Sequence, residues 1–182
     1  KKLLFMGTEF GQGNEWNSAQ PLDWWVLEYP MHEGVQRLVK DLNQLYHNTS
    51  ALYSYDFEWN GFEWIDCNDA QQSVLSFLRK DDQGDMAIVV LNLTPVPREH
   101  YRIGVPQDGL WTEVMNSDSD YYGGSNMGNG QAQLQAVQQE WMGRPWMLEI
   151  TLPPLAGLVL KPAPATVPSE PAEAAEDDTP ET

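Results

Sequence analysis

KKLLFMGTEFGQGNEWNSAQPLDWW (Lys1–Trp25) is the stretch whose reading decides the fold. It opens on an apolar run, Leu3, Leu4, Phe5 and Met6, that stops at Gly7. Such a run has the length and composition of a strand buried on both faces, as in a parallel sheet. A polar loop rich in Gly and Trp follows. Beyond it Val35, Leu38, Val39, Leu42 and Leu45 recur at helical spacing, with Gln36, Arg37, Lys40, Asp41 and Asn43 between them. That periodicity predicts an amphipathic helix over residues 32–47, closed by Asn48, Thr49 and Ser50. Strand, elaborated loop and helix make one unit of a (β/α)8 barrel, in which loops after the strands build the active site. In a barrel the apolar stripe of the helix packs against the strand just before it. A lone strand has no parallel neighbour, so the chain reads as the tail end of a larger enzyme whose chemistry lies mostly elsewhere.

From residue 57 onward the texture changes to short apolar runs separated by turn residues. Gly61–Asp66, Ser73–Arg79, Asp85–Leu93, Tyr101–Val105, Leu110–Asn116, Trp146–Leu152 and Gly157–Leu160 are predicted strands. Leu148, Ile150 and Leu152 alternate with polar neighbours; Asp81-Asp82-Gln83-Gly84 is a hairpin turn. Strands at this spacing, uninterrupted by a helix signal, predict an antiparallel β-sandwich. After Lys161 the composition shifts to Pro, Ala, Thr, Ser, Asp and Glu, with Val167 the one sizeable apolar group. Such a segment buries too little to offset its ordering entropy. The chain is therefore expected to be mostly β: a barrel strand–loop–helix unit in residues 1–54, a sandwich in 55–161, and a disordered acidic tail in 162–182.

The formal net charge is −17, from 27 acidic and 10 basic residues, and six of the acids lie in the tail. That surface repels phosphate backbones, which argues against a nucleic-acid partner. Eight Trp and seven Tyr can fill a core, and with an acidic balance they suit a neutral ligand such as a sugar. Cys67 is the only cysteine, so no intrachain disulfide forms; a reducing compartment and a cytoplasmic location are expected. No apolar run approaches the roughly 18 residues that span a bilayer, so no membrane is expected.

Glu9 follows the predicted strand, where barrel enzymes place functional groups, and Glu15 and Asp23 share its loop. Glycoside chemistry needs two facing carboxylates, and the residues alone nominate Glu9 with Asp23. The competing reading is that these carboxylates accept backbone and indole N–H bonds that shape the loop. Trp16, Trp24 and Trp25 offer faces for stacking a sugar ring, or else pack the helix onto the sandwich, with at least one in the core. Trp59, Trp64, Trp111, Trp141 and Trp146 are expected in the core. Gly123–Gly130 looks superficially like a phosphate-cradling loop, but it lacks the Gly-Lys-Ser/Thr ending and no helix follows it. His32, His47 and His100 show no paired metal-ligand spacing, so neither a metal nor a nucleophile is expected.

Several of these stretches, in this order, resemble the bacterial glycogen (1,4-α-glucan) branching enzymes of the α-amylase superfamily. They are Gly7-Thr8-Glu9-Phe10-Gly11-Gln12, Glu15-Trp16-Asn17, Leu22-Asp23-Trp24, Gly34–Asn43, Gly61-Phe62-Glu63-Trp64, Ser73–Phe77, Asn92–Arg98, Tyr101–Val105, Tyr122–Asn126 and Leu152–Ala156. The resemblance covers residues 1–160 and leaves out the tail. It implies that residues 1–51 hold the eighth barrel strand, its loop and the last helix, and that a C-terminal sandwich begins near Tyr55. It implies an α-glucan substrate, the remainder of the barrel as a partner and no cofactor. The family's nucleophile Asp, acid/base Glu and stabilising Asp lie on earlier strands and have no counterpart here, so catalytic residues are expected to be none. Glu9 matches a family position at the end of the eighth strand that is not one of those three, and the Glu9–Asp23 catalytic pairing fails on that ground. Glu9, Trp16, Leu22, Asp23 and Trp24 remain as expected substrate-binding residues. Asn14 stands where the family often has Arg, and Trp25 where it often has His. A free-standing glucan-binding sandwich is the alternative; a trehalose-forming hydrolase fits the sandwich motifs less well.

Overall fold

A computed structural model of the chain describes residues 2–130 and 133–164. One long helix, α1 (Pro30–Asn48), precedes eight strands. These are β1 (Phe62–Asp69), β2 (Val74–Lys80), β3 (Met86–Asn92), β4 (Arg98–Val105), β5 (Leu110–Asn116), β6 (Leu134–Gln135), β7 (Trp146–Leu152) and β8 (Ala156–Pro162). All pairings are antiparallel, in one sheet ordered β1-β2-β3-β8-β5-β6 and a smaller sheet of β4 with β7. The antiparallel sandwich read from the sequence is present, and every predicted strand overlaps an observed one. The two-residue β6 is the strand that the periodicity missed.

The core lies between the sheets. Val74 and Leu78 of β2, Ile88 and Val90 of β3, and Leu158 and Leu160 of β8 face Tyr101 and Ile103 of β4 and Leu148, Ile150 and Leu152 of β7. The other face of the large sheet is apolar as well: Ala87, Met115 and Val159 pack with Leu38 and Leu45 of α1. Cover on both faces explains why β3 reads as an unbroken apolar run, Met86–Leu91, rather than an alternation. The β2–β3 hairpin turns as its residues require. The Asp81 carboxylate accepts from the amides of Gln83 (2.9 Å) and Asp85 (2.8 Å), and Gly84 takes φ of 91°.

Pro30 occupies the first turn of α1, where its missing N–H costs nothing. Of the apolar stripe, Leu38 and Leu45 lie on the sandwich, whereas Leu42 is 41% exposed and Val39 lines an open groove with Glu9. The opening strand itself does not form. Leu3, Leu4, Phe5 and Met6 are 86, 50, 57 and 52% exposed, because no strand among the described residues lies beside them. Tryptophan placement also departs from expectation. Trp111 is fully buried and Trp146 packs against the core, whereas Trp59 and Trp64 are 89% and 49% exposed. Trp64 sits edge-on to Phe62 and Phe77 at the β1–β2 edge of the large sheet. Pro162, assigned to the tail, still pairs with Trp111 at the end of β8, and the tail beyond residue 164 lies outside the described residues.

Candidate functional site

The loop between Gly7 and Tyr29 is folded by its own polar side chains. Gly7 (φ 87°) and Gly11 (φ 69°) bracket a single 3-10 turn, Thr8–Phe10, that drops Phe10 into a fully buried position. Gln12 then staples the two arms together. Its backbone N–H donates to the Gly7 carbonyl (2.9 Å), its Oε1 accepts from the Asp23 amide (2.9 Å), and its Nε2 donates to the Asn14 carbonyl (2.9 Å). Asn14 in turn donates to the Asp23 carboxylate at 2.6 Å. Asn14 thus holds Asp23 through a neutral amide.

This staple sets Trp24 against Phe10, with ring centroids 4.7 Å apart, while Trp16 meets Phe5 edge to face at 5.5 Å. Trp16, Trp24 and Trp25 are 40, 51 and 56% exposed, so none of the three is in the core, contrary to the expectation of at least one. A short loop can bury one large ring beneath itself, and Phe10 holds that place. Leu22 and Asp23 are half-buried. Glu9 faces elsewhere: it lines an open groove with Gln36, Val39, Lys40 and Asn43 of α1. Trp16 and Trp24 thus stay exposed on the loop, Asp23 is half-buried beside Asn14, and Glu9 lies against the helix.

His32 of α1 anchors the loop from below. Its Nδ1 lies 2.9 Å from the Phe10 carbonyl oxygen, which can only accept, so Nδ1 carries the donated proton. The helix is fixed in turn by the Gly-rich loop of the sandwich. A Cβ on Gly34 would lie 2.1 Å from the Tyr122 carbonyl oxygen, so the helix reaches the Asp120–Tyr122 turn only because residue 34 has no side chain. Arg37 donates from Nε to the Tyr121 carbonyl (3.0 Å), and the Tyr122 hydroxyl donates to Asp41 (2.8 Å). Burial and that carboxylate push the Tyr122 phenol above its ordinary range. Two stretches that the sequence shows far apart, Gly34–Asn43 and Tyr122–Asn126, meet here. Sequence reasoning missed Gln12, His32 and Gly34; a glycine inside a strongly periodic helix was the one visible signal.

The same loop is closed to phosphate. The Asp118 carboxylate accepts from the Ser125 amide (3.0 Å), the Ser125 hydroxyl (2.6 Å) and the Met127 amide (3.1 Å), so the amides that would cradle an anion already serve an internal one. At the foot of α1, Asp56 binds Lys2 (2.5 Å) and Arg79 (3.2 Å). Burial opposes its charge, but the bonds from Lys2 and Arg79 outweigh it and hold Asp56 below the usual carboxylate range. Among the described residues no cluster of His, Cys, Asp and Glu could hold a metal ion, and no helix is long and apolar enough to cross a membrane.

Comparison with known proteins places the sandwich in a family. Residues 64–163 match the alpha amylase C-terminal all-beta domain. The chain is 60% identical over 177 residues to the 1,4-alpha-glucan branching enzyme GlgB of Nitrosococcus oceani, covering 94% of the chain and 23% of that relative. It is 57% identical to the proteins of the same name from Methylococcus capsulatus and Thiobacillus denitrificans, covering 92% and 90% of the chain and 22% of each relative. The chain spans less than a quarter of the length of these relatives.

Proposed function

The chain belongs to the family of alpha-amylase C-terminal all-beta domains, and on that premise we propose that it is the C-terminal part of a 1,4-α-glucan branching enzyme. The observation that carries this reading is identity of 57–60% to branching enzymes across the exposed loop, the helix and the sandwich together. Residues 1–54 then complete the catalytic barrel, and residues 55–161 are the sandwich that buttresses it. The parent enzyme cleaves an α-1,4-glucan through a covalent glycosyl–enzyme intermediate and transfers the freed segment to a 6-hydroxyl, forming an α-1,6 branch. This chain contributes none of the three catalytic carboxylates.

Its part is to bind and orient. Trp16 and Trp24 present half-exposed aromatic faces of the kind that stack on sugar rings, with Leu22 beside them. Asp23, held by Asn14 and Gln12, offers its remaining acceptor capacity to glucan hydroxyls, and Glu9 marks the end of the eighth barrel strand. The exposed run Leu3–Met6 is the surface on which neighbouring barrel strands pair. That run favours this reading over a free-standing glucan-binding module, which gains nothing from four solvated apolar side chains. A cytoplasmic location fits the free thiol of Cys67.

The test is Trp24→Ala in the longer enzyme. Removing the ring is expected to raise KM for amylose about tenfold, with kcat changing less, since a stacked ring holds substrate and transition state alike. An unchanged KM contradicts the assignment of this loop to the glucan cleft.

A further inference from the structure

Two kinds of contact place the exposed Trp24 ring, and they do different things. Gln12 ties the loop to itself, because its bonds to the Gly7 carbonyl, the Asn14 carbonyl and the Asp23 amide all lie within residues 7–23. The 3-10 turn beside it is closed in the same way, by the Phe10 N–H on the Gly7 carbonyl (3.3 Å) and the Gly11 N–H on the Thr8 carbonyl (3.2 Å). Such bonds make the loop one stiff piece. They do not fix where that piece sits on the helix.

The chain itself joins the loop to α1 at one end, through the 3-10 turn Trp24–Glu28 and the extended Tyr29. One attachment leaves a hinge. The second attachment is His32: among the described residues, its Nδ1–H on the Phe10 carbonyl (2.9 Å) is the one hydrogen bond between residues 7–23 and α1. The other contacts there are apolar, with Phe10 fully buried and a Cβ on Gly11 falling 3.9 Å from the Val35 methyls. Apolar contact has no direction and lets one surface slide on another, whereas a hydrogen bond fixes a distance and an angle. Gly11 brings the loop backbone within reach, since a Cβ there would lie 3.7 Å from His32 Nδ1. The donor is held in its turn. His32 is half-buried against the Tyr29 ring (centroids 6.3 Å apart), two residues before Gly34, where the backbone of Tyr122 meets the helix.

From Phe10 the placement passes to Trp24. Its ring lies over the buried Phe10 ring, with centroids 4.7 Å apart and planes tilted by 38°, and it is 51% exposed. We infer that His32 is a positioning residue that, by holding the Phe10 carbonyl, sets the height and tilt of the Trp24 ring over α1. It acts through Phe10 and not by touching a substrate. The consequence for glucan binding rests on the proposed function; the coupling of His32 to Trp24 does not.

The identity of the donor atom supplies the test. Nδ1 of His is two bonds from Cβ, as is the amide nitrogen of Asn, whereas the amide nitrogen of Gln is three bonds away, like Nε2 of His. His32→Asn therefore restores an N–H where the Phe10 carbonyl needs it, His32→Gln offers one at the wrong reach, and His32→Leu offers none.

The experiment reads the indole N–H resonances of the 15N-labelled 182-residue chain. The Trp24 signal is expected to shift and to exchange faster with solvent in His32→Leu and His32→Gln, and to stay near its wild-type position in His32→Asn. Trp111, fully buried in the sandwich, should not move in any of them. His32→Gln keeps a polar side chain, so its contrast with His32→Asn decides the matter even where the Leu variant does not fold. In the longer enzyme, His32→Gln should raise KM for amylose about fivefold with kcat little changed, the ratio that one net hydrogen bond supplies, and His32→Asn should recover most of it. A Trp24 signal unmoved in His32→Leu and His32→Gln overturns the inference. So does one displaced equally in all three variants, which is what general loosening of the helix would give. A Trp24 signal that follows the expected pattern, together with a KM that Trp24→Ala leaves unchanged, upholds the inference and removes the proposed function instead.

Discussion

Gly34→Ala tests how the sandwich holds the helix beneath the exposed loop. Helix propensity alone predicts a gain, since Ala is favoured over Gly inside a helix by about 1 kcal/mol. The contact geometry predicts the opposite sign. The new methyl would lie 2.1 Å from the Tyr122 carbonyl oxygen and 2.7 Å from its carbon, both backbone atoms that cannot rotate aside. Relief requires α1 to lift from the Asp120–Tyr122 turn, which breaks the Arg37–Tyr121 bond (3.0 Å) and the Tyr122–Asp41 bond (2.8 Å). Bonds to charged groups contribute about 1.5 kcal/mol or more each. Losing both and regaining the propensity term leaves a destabilisation of about 2 kcal/mol. For a chain of this length that lowers Tm by roughly 4–8 °C. Urea denaturation followed by circular dichroism reads it. Gly13→Ala is the control, since nothing lies within 4 Å of its Cβ position, and should stay within about 0.5 kcal/mol of wild type. Tyr122→Phe should cost less in the Gly34→Ala background than alone, because the bond it removes is already broken. A Gly34→Ala chain as stable as wild type, or more stable, refutes the reasoning.

Asp118→Ala removes the acceptor of two loop amides and the Ser125 hydroxyl, and should destabilise by about 2 kcal/mol while accelerating hydrogen exchange at Ser125 and Met127; unchanged exchange there counts against the account. Acid should weaken the fold through three carboxylates. Burial opposes the charge of Asp56, Glu63 and Asp85, but bonds from Lys2 and Arg79, from Lys80 and Arg144, and from Lys161 outweigh it and hold each below its ordinary range. A depressed folded-state pKa gives stability that is fully present above the unfolded value, about pH 4, and is lost as pH falls through the folded one. The urea midpoint should therefore hold from pH 7 to 5 and drop by pH 3, and Asp85→Asn should flatten part of that drop; a midpoint indifferent to pH is the contrary result. Gln12→Ala frees the Asp23 amide and should red-shift Trp24 emission as the ring leaves Phe10, with little change in global stability.

Much of the sandwich was legible because burial leaves a period in sequence. Leu148, Ile150 and Leu152 alternate because one face of β7 meets the core, and Asp81–Gly84 carries its own turn chemistry. The helix was legible in the same way, but not its partner: an apolar stripe says that a face is covered without saying by what. The opening run Leu3–Met6 stays unpaired because no strand among the described residues lies beside it; composition marks a strand but cannot supply its neighbours. Tryptophan burial failed for Trp59 and Trp64 because hydrophobicity ranks residue types and does not locate the edge of a sheet. Of the exposed loop, the residue types were visible early. The Gln12 staple, the His32 anchor and the closeness of Gly34 to Tyr122 depend on tertiary contacts that leave no local pattern.

The central claim is that this chain finishes a branching enzyme and supplies a wall of its glucan cleft. Branching of amylose, read as α-1,6 linkages by proton NMR, tests it most directly when run on the 182-residue chain and on the protein encoded by the reading frame extended upstream of Lys1. The account predicts no branches from the chain alone and α-1,6 transfer by the extended protein. Branch formation by the chain alone, or an extended protein that forms none, contradicts it.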